Sequence, residues 1–126
     1  MNKQEAEFTT RAKVWIKETL PTCLWEVKHS RGKTKFNLNE IKEHQINWLK
    51  AATTKKGCSW KIPDTGYGFN PCDGFNFKKS QGFVIICFPT WVVAIEIQVL
   101  LLIKETSITE EKARRISVYS IQTKDI

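Results

Sequence analysis

The chain has 126 residues, a length that fits one domain with a core of its own. Hydrophobic residues make up 41% and charged residues 26%, the balance of an ordinary globular protein, which excludes extensive disorder. Lysine and arginine total 20 against 13 acidic residues, giving a net charge of +7. Such a surplus on a small domain favours a polyanionic partner such as nucleic acid, because each basic residue placed on a phosphate releases counterions.

The first half of the chain predicts, in order, a helix over 3–20, a strand over 23–29, a basic loop over 30–35 and a second helix over 39–54. Pro21 ends the first helix, because proline cannot continue the helical backbone. Asn39 is the expected N-cap of the second helix, and Gly57 marks the point by which it has ended.

The second half predicts strands over 59–63, 73–77, 82–88 and 91–97, a Gly-rich aromatic loop over 64–71, and a short helix or continued strand over 98–104. Ser107 to Glu110 matches the Ser-x-x-Glu capping box, so a final helix is predicted to start there. The order of elements predicts an α/β or α+β fold with one mixed central sheet flanked by helices, forming a single domain over 1–126.

The four cysteines are Cys23, Cys58, Cys72 and Cys87, and none belongs to a Cys-x-x-Cys pair. Each lies within or beside an apolar run. We therefore expect free thiols that behave as small buried hydrophobes in a reducing compartment.

The apolar stretch 83–103 is interrupted by Pro89, Glu96 and Gln98, which predicts strands and no membrane span. The N-terminus is polar and charged, unlike a signal peptide. We expect a soluble, intracellular protein.

The segment Trp25-Glu26-Val27-Lys28 carries the sharpest local signal. On a strand, residues two apart point to the same face, so Glu26 and Lys28 are expected to project together. The carboxylate can hold a hard divalent cation through oxygen. The ammonium can orient or help deprotonate a water, or stabilise charge on a phosphate in the transition state. Taken alone, Glu-x-Lys on a strand is most often a solvated pair of charges.

The residues around this strand resemble a known family. The run Glu26-Val27-Lys28, then Lys33-Thr34-Lys35-Phe36-Asn37-Leu38 and Glu43-His44-Gln45-Ile46, resembles Holliday-junction resolvases of the restriction-endonuclease-like (PD-(D/E)XK) superfamily. Their pattern is an acid-x-Lys strand, a loop and a helix that carries Gln. The later Lys61-Ile62-Pro63-Asp64 and Asn70-Pro71-Cys72-Asp73-Gly74-Phe75 resemble resolvase-type nucleases of phages. The resemblance covers residues 7–115.

This resemblance implies a restriction-endonuclease-like fold and a Mg²⁺-dependent endodeoxyribonuclease, with Mn²⁺ as an alternative to Mg²⁺. It further implies a branched DNA substrate, the four-way junction, and a homodimer that makes two symmetric nicks. The implied catalytic residues are Glu26, Lys28, Asp73 and Gln45, and the implied metal ligands are Asp73, Glu26 and Glu7.

The position of the active-site Asp departs from the superfamily pattern, in which an Asp strand precedes the Glu-x-Lys strand. Only one helix precedes Glu26 here. Asp73 is the best replacement, as in a migrated active site, and this requires its strand to lie next to the Glu26 strand. Asp-Gly is also a common turn pair, so a turn role for Asp73 stays open. Asp64 is a competitor, although its place at the start of a Gly-rich loop favours a turn.

Other polar residues have two readings each. Glu7 corresponds to the helix acid that some family members add to the metal site, or is an exposed helix carboxylate. Gln45 positions the water or a phosphate, or caps the polar edge of its helix. His29 and His44 lack a partner pattern for zinc and are expected to be exposed or to face DNA.

Basic residues form groups that suit a DNA surface. The predicted DNA-binding residues are Arg31, Lys33, Lys35, Lys55, Lys56, Lys78 and Lys79. The first three directly follow the Glu-x-Lys strand, at the mouth of the site, and such phosphate contacts position a duplex without reading its sequence. Two roles are open for the aromatic residues of the Gly-rich loop and the strand after it: a wedge against bases at a junction or, more commonly, packing within the protein. These residues are Tyr67, Phe69 and Phe75. The five tryptophans fall on predicted elements, so most are assigned to the core.

Two other classes of function remain open. One is a non-catalytic DNA-binding or regulatory protein on the same fold, in which the basic surface remains and Asp73 is only a turn residue. The other is a protein-interaction module whose charge is incidental, for which partner binding would depend little on salt.

Overall fold

A computed structural model describes residues 3–63, 66 and 72–126. The helices are α1 (Lys3–Thr19), α2 (Glu43–Ala52), α3 (Ile97–Leu100) and α4 (Glu110–Ile116). The strands are β1 (Cys23–His29), β2 (Lys35–Asn37), β3 (Cys58–Lys61), β4 (Gly74–Phe77), β5 (Gln81–Cys87), β6 (Trp91–Glu96), β7 (Ser107–Thr109) and β8 (Tyr119–Gln122). Short 3₁₀ turns occupy Leu38–Glu40 and Thr123–Asp125.

The main sheet has four strands in the order β1-β5-β6-β8. β1 runs parallel to β5, with Cys23 opposite Gln81 and His29 opposite Cys87, whereas the other two pairings are antiparallel. Neighbouring parallel strands need a long crossover, and here the chain makes it through α2, β3 and β4. Within the described residues, β1 is therefore an edge strand of this sheet.

Two small antiparallel pairs accompany the main sheet: β2 with β7, and β3 with β4. The first pair joins the segment after β1 to the segment before α4. The second pair forms a hairpin beside α2, where Trp60 of β3 stacks on Trp48 of α2.

Helices cover both faces of the main sheet. On one face, Val84 belongs to a buried cluster with Leu49 of α2 and Ala113 of α4. On the other face, Ile85 belongs to a buried cluster with Ile16 of α1. β5 and β6 are apolar nearly throughout because strands covered on both sides must bury side chains of both orientations.

The predicted α+β class, with a mixed sheet flanked by helices, is confirmed. The predicted start of the second helix is wrong: residues 38–40 form a 3₁₀ turn, which the Asn37 side chain caps by accepting from Asn39 N at 2.9 Å. The predicted start of the last helix is also displaced. Ser107 lies in β7, and Thr109 caps α4 by accepting from Lys112 N at 3.2 Å.

The cysteines are free, as predicted, but their burial differs from the expectation at one position. Cys58 and Cys87 are buried and Cys23 is half-buried, whereas Cys72 is exposed. Within the described part of the chain, no helix has the length and apolar character needed to cross a bilayer.

Candidate active site

Glu26 and Lys28 project from the same face of the edge strand β1. Leu24 packs into the core on the α2 side of the sheet, whereas Trp25 and Val27 pack on the α1 side. Because side chains alternate along a strand, Glu26 and Lys28 share the α2 side with Leu24. The expectation that they project together is confirmed, since Lys28 Nζ lies 3.9 Å from Glu26 Oε1.

This pair is only partly exposed to solvent. The Lys28 side chain is 19% exposed and the Glu26 side chain 35%. A separation of 3.9 Å is an ion pair too long for a good hydrogen bond, so neither group is locked to the other. Partial burial lowers the effective dielectric around both charges, which strengthens their action on a phosphate or a cation brought beside them.

Glu26 lines a cavity of 290 Å³ beside the start of α2. His44, Gln45 and Trp48 of α2 and Trp60 of β3 contribute to its wall. The structure therefore brings Glu26 and Gln45, two of the predicted catalytic residues, to one cavity.

The Gln45 amide also has a structural role. Its Oε1 accepts a hydrogen bond from Lys42 N at 2.9 Å, which fixes the first turn of α2. This is the capping alternative considered for Gln45. The amide oxygen is used at the helix start, so the amide NH₂ is what this side chain can offer to a ligand.

Lys28 lines a second cavity, of 310 Å³, that wraps around the open edge of β1. His29 lines it from the opposite face of the strand, Glu5 from α1, and Glu40 and Lys42 from the segment before α2. Two carboxylates, two ammonium groups, an imidazole and the Arg31 guanidinium thus meet at the edge of the sheet. Such a lining suits a charged, polar ligand.

His29 is held by α1 and is half-buried, which differs from the exposed position expected for it. Its Nε2 lies 2.8 Å from Thr9 Oγ1, and Thr9 is itself buried. Burial lowers the pKa of His29 below its ordinary value; Glu5 opposes this shift, and Arg31 adds to it. The ring is therefore neutral at pH 7 and can either donate or accept a hydrogen bond.

The strand that follows Asp73 does not pair with the strand that carries Glu26. Asp73 directly precedes β4, which pairs with β3, whereas the neighbour of β1 in the described sheet is β5. Asp73 is exposed, and its backbone carbonyl accepts from Ile62 N at 2.7 Å. The expectation of adjacent Asp73 and Glu26 strands is wrong, and the turn alternative describes Asp73 better.

Asp64, the competing active-site Asp, lies outside the described residues. In the ranges 3–63, 66 and 72–126, no three or more His, Cys, Asp or Glu side chains are grouped so that they could hold a metal ion.

Glu7 is exposed on α1 and lines neither cavity, whereas Glu5 lines the Lys28 cavity. The buried stripe of α1 is Thr9, Ala12 and Ile16. Glu5 precedes Thr9 by four residues and so lies on the same face of the helix, whereas Glu7 precedes Thr9 by only two residues and points away from that face. Helical spacing was thus the signal that could have selected Glu5 over Glu7.

Arg31, Lys33 and Lys35, here called the proximal basic loop, are exposed. Arg31 and Lys33 follow β1 directly, whereas Lys35 begins β2, so the loop ends one residue earlier than predicted. Arg31 and Gly32 both have positive φ, 57° and 79°, which makes the chain reverse immediately after the strand. Arg31 also lines the Lys28 cavity. Arg31 therefore lies at the edge of the candidate site, whereas the same position for Lys33 and Lys35 stays a prediction.

Lys55, Lys56, Lys78 and Lys79, here called the distal lysine group, are exposed on two adjacent turns. Lys79 N donates to Thr54 O and Ser80 N donates to Ala52 O, both at 2.9 Å. Gly57, with φ 66°, allows the close approach: a Cβ there would lie 1.9 Å from Phe77 O. Two pairs of lysines far apart in sequence thus form one basic surface.

The two basic surfaces lie at opposite ends of β1. The proximal basic loop follows His29, whereas the turn at 78–80 leads into Gln81, which pairs with Cys23. The seven residues of β1 span roughly 20 Å at about 3.3 Å per residue, or roughly six steps of a DNA strand at about 3.4 Å each. Glu26 and Lys28 lie between these surfaces.

Glu5, Glu40 and Lys42 line the site although none of them is among the predicted site residues, and most of the tryptophans are expected in the core. Trp48 is 41% exposed. Glu40 is the last residue of the 3₁₀ turn and Lys42 is the N-cap of α2, in a segment predicted to be helix, so the error in the helix start also hid their position.

Comparisons of the chain with protein-family models, curated proteins and solved structures found no match. The chemistry of the site accordingly follows from the geometry of its own residues.

Proposed function

We propose that the chain is a metal-dependent DNA endonuclease with a restriction-endonuclease-like core that cleaves branched DNA, such as a four-way junction. The observation that carries this proposal is the partly buried Glu26–Lys28 pair, 3.9 Å apart on the edge strand β1 between two basic surfaces. The order of β1, α2 and the parallel strand β5, with Gln45 on the helix, supports it further, because junction resolvases have an acid-x-Lys strand followed by a Gln-bearing helix.

Glu26 would hold Mg²⁺, or Mn²⁺ in its place. Proteins usually bind Mg²⁺ through one or two carboxylates together with water and substrate phosphates, so the carboxylate of Glu26, on a side chain that is 35% exposed at a cavity wall, fits this ion. When bound, the ion would polarise the phosphodiester and activate a water at neutral pH. Asp73 and Glu7 are not included, because the described fold does not bring them to Glu26.

Lys28 would stabilise the charge that develops on the phosphate during in-line displacement and orient the attacking water. Its side chain is 19% exposed, so solvent screens only part of the field of its charge. The Gln45 amide NH₂ would donate to a phosphate oxygen or to the water in the cavity that Glu26 lines.

The proximal basic loop and the distal lysine group would bind phosphates on either side of the cleavage point. Contacts of this kind position DNA without reading its sequence. A homodimer would present two such sites related by a two-fold axis, which matches the symmetry of a four-way junction.

The second candidate is a non-catalytic DNA-binding protein on the same fold. The observation that favours it is that, of the predicted metal ligands within the described residues, only Glu26 forms an ion pair with Lys28. The two basic surfaces would then bind DNA without cutting it.

Cleavage of an end-labelled four-way junction and of a linear duplex with the same sequence tests the proposal. Purified protein is incubated with each DNA in Mg²⁺, in Mn²⁺ and in EDTA. We expect paired nicks in the junction that require metal and are absent from the linear duplex. Binding of both DNAs with no cleavage in either metal would refute the endonuclease and support the non-catalytic candidate.

A further inference from the structure

An open groove of 520 Å³ lies on the outer side of α2, next to the Glu26 cavity. His44, Asn47 and Trp48 of α2 line it together with Ser59 of β3, and we call it the Trp48 groove. His44 and Trp48 also line the Glu26 cavity. The groove and the candidate active site therefore share a wall.

Trp48 presents an exposed ring in a fixed orientation. It stacks on Trp60 with ring centroids 4.6 Å apart and an interplanar angle of 22°, and Trp60 in turn contacts Phe75 at 5.1 Å. Yet Trp48 remains 41% exposed and Phe75 47% exposed. Aromatic rings packed on each other at a surface form a rigid platform on which a further flat ring can stack.

The polar groups of the groove match the edges of a nucleobase. Asn47 provides an amide with both donor and acceptor atoms, Ser59 a hydroxyl, and His44 an imidazole. The groove volume lies within the roughly 300–1,000 Å³ of small-ligand sites. An aromatic face with donors and acceptors around it is how proteins hold an unpaired base.

Positive charge lies beside the groove, where a nucleotide would carry its phosphate. Gly57 and Cys58 line the groove, and the exposed Lys55 and Lys56 directly precede them in the chain. Electropositive grooves combined with stacking aromatics are typical of sites for single-stranded nucleic acid. A bound protein segment would be attracted by the flanking lysines, as a nucleotide phosphate is, only if that segment were acidic.

We propose that the Trp48 groove binds an unpaired nucleobase of the DNA substrate, stacked on Trp48. This inference rests on the proposed function and names its substrate class: DNA in which a base is unpaired beside the cleavage point, as in a flap, a gap or an opened branch point. In a fully paired duplex the bases are held in the helical stack, and filling the groove would first require unpairing.

Binding measured in EDTA tests this inference apart from cleavage. The DNAs are a paired duplex, the same duplex with a one-nucleotide flap of 2-aminopurine, and the same flap with an abasic residue. We expect binding to quench the 2-aminopurine fluorescence, as stacking on an indole does. We also expect the flap with the base to bind roughly 5- to 100-fold more tightly than the abasic flap.

Three variants assign the effect to the groove. Trp48→Leu keeps an apolar contact with Trp60 but offers no ring, so it should lose both the quenching and the preference for the base. Trp48→Phe should keep most of both. The control is Leu102→Ala, which changes a side chain that is 78% exposed and does not line the groove, and it should behave as wild type. Binding of the paired duplex should be the same in all of them.

Equal affinity for the two flaps, with no quenching in wild type, would overturn the inference. Wild-type behaviour in Trp48→Leu would overturn it too. If Trp48→Leu fails to fold, Asn47→Ala decides, because Asn47 is exposed outside the Trp stack and its loss should reduce the preference for the base. Quenching without any cleavage activity would support base binding in the groove and refute the nuclease. Cleavage without a preference for the base would support the nuclease and refute base binding in the groove.

Discussion

Replacing the distal lysine group with glutamine should make DNA binding much less sensitive to salt. These four lysines lie on two turns joined by backbone hydrogen bonds, so all four can face one DNA backbone. Each phosphate contact contributes about 0.9 to the slope of log affinity against log salt, so four contacts contribute about 3.6. Between 50 and 200 mM salt, wild type should therefore lose roughly 100-fold more affinity than the quadruple variant.

The assay is fluorescence anisotropy with a labelled duplex in EDTA, repeated at four or more salt concentrations. The matched control replaces four exposed lysines away from the site with glutamine, namely Lys13, Lys17, Lys104 and Lys124. Both quadruple variants have a net charge of +3 in place of +7. Equal changes of slope in the two variants would refute a localised DNA surface and indicate that only the overall charge matters.

Three further results are expected. Because burial lowers the pKa of His29, the unfolded chain takes up a proton more readily than the folded one, so the free energy of unfolding should fall as the pH drops below 6.5. Urea unfolding at pH 7.5 and 5.5 should show a smaller fall in His29→Gln than in wild type, and an equal fall would contradict this assignment. Iodoacetamide at pH 8 should label the exposed Cys72 long before Cys87, because burial raises the pKa of the Cys87 thiol to about 12; mass spectrometry showing equal labelling would contradict it. Gly57→Ala should lower the free energy of unfolding by about 2 kcal/mol or more, because the new Cβ would meet a backbone carbonyl. Gly32→Ala, where φ is also positive but the space is open, should lower it by about 1 kcal/mol, and equal losses would argue against the close turn contact.

Local patterns predicted the elements that position the site. The bounds of β1 follow from the turn residues on either side of seven strand-forming residues, and alternation alone placed Glu26 and Lys28 on one face. The first helix was also predicted within one residue of its end. Such features depend on neighbours in the chain, which the sequence displays directly.

Features that depend on distant contacts were not predictable in the same way. Asp73 was assigned to the active site on the assumption that its strand pairs with β1, but strand pairing is decided by packing between segments far apart in sequence. The short strand β8 was not predicted, because its four residues gain their place only by pairing with β6. Trp48 is expected in the core because a tryptophan on an amphipathic helix usually packs inside, yet it is 41% exposed, since the stack on Trp60 covers only part of its ring.

The rate of junction cleavage under single-turnover conditions in Mg²⁺, with protein in excess, tests the role of Glu26 and Lys28 most directly. The variants are Glu26→Gln and Lys28→Met. The matched controls are Glu105→Gln and Lys112→Met, which break an ion pair of 3.3 Å at the surface elsewhere. We predict that each site variant lowers the cleavage rate by about 100-fold or more while junction affinity in EDTA stays within about twofold, because the lost interactions act mainly in the transition state. Cleavage by Glu26→Gln and Lys28→Met at the rate of the two control variants would contradict the assignment of this pair as the catalytic centre.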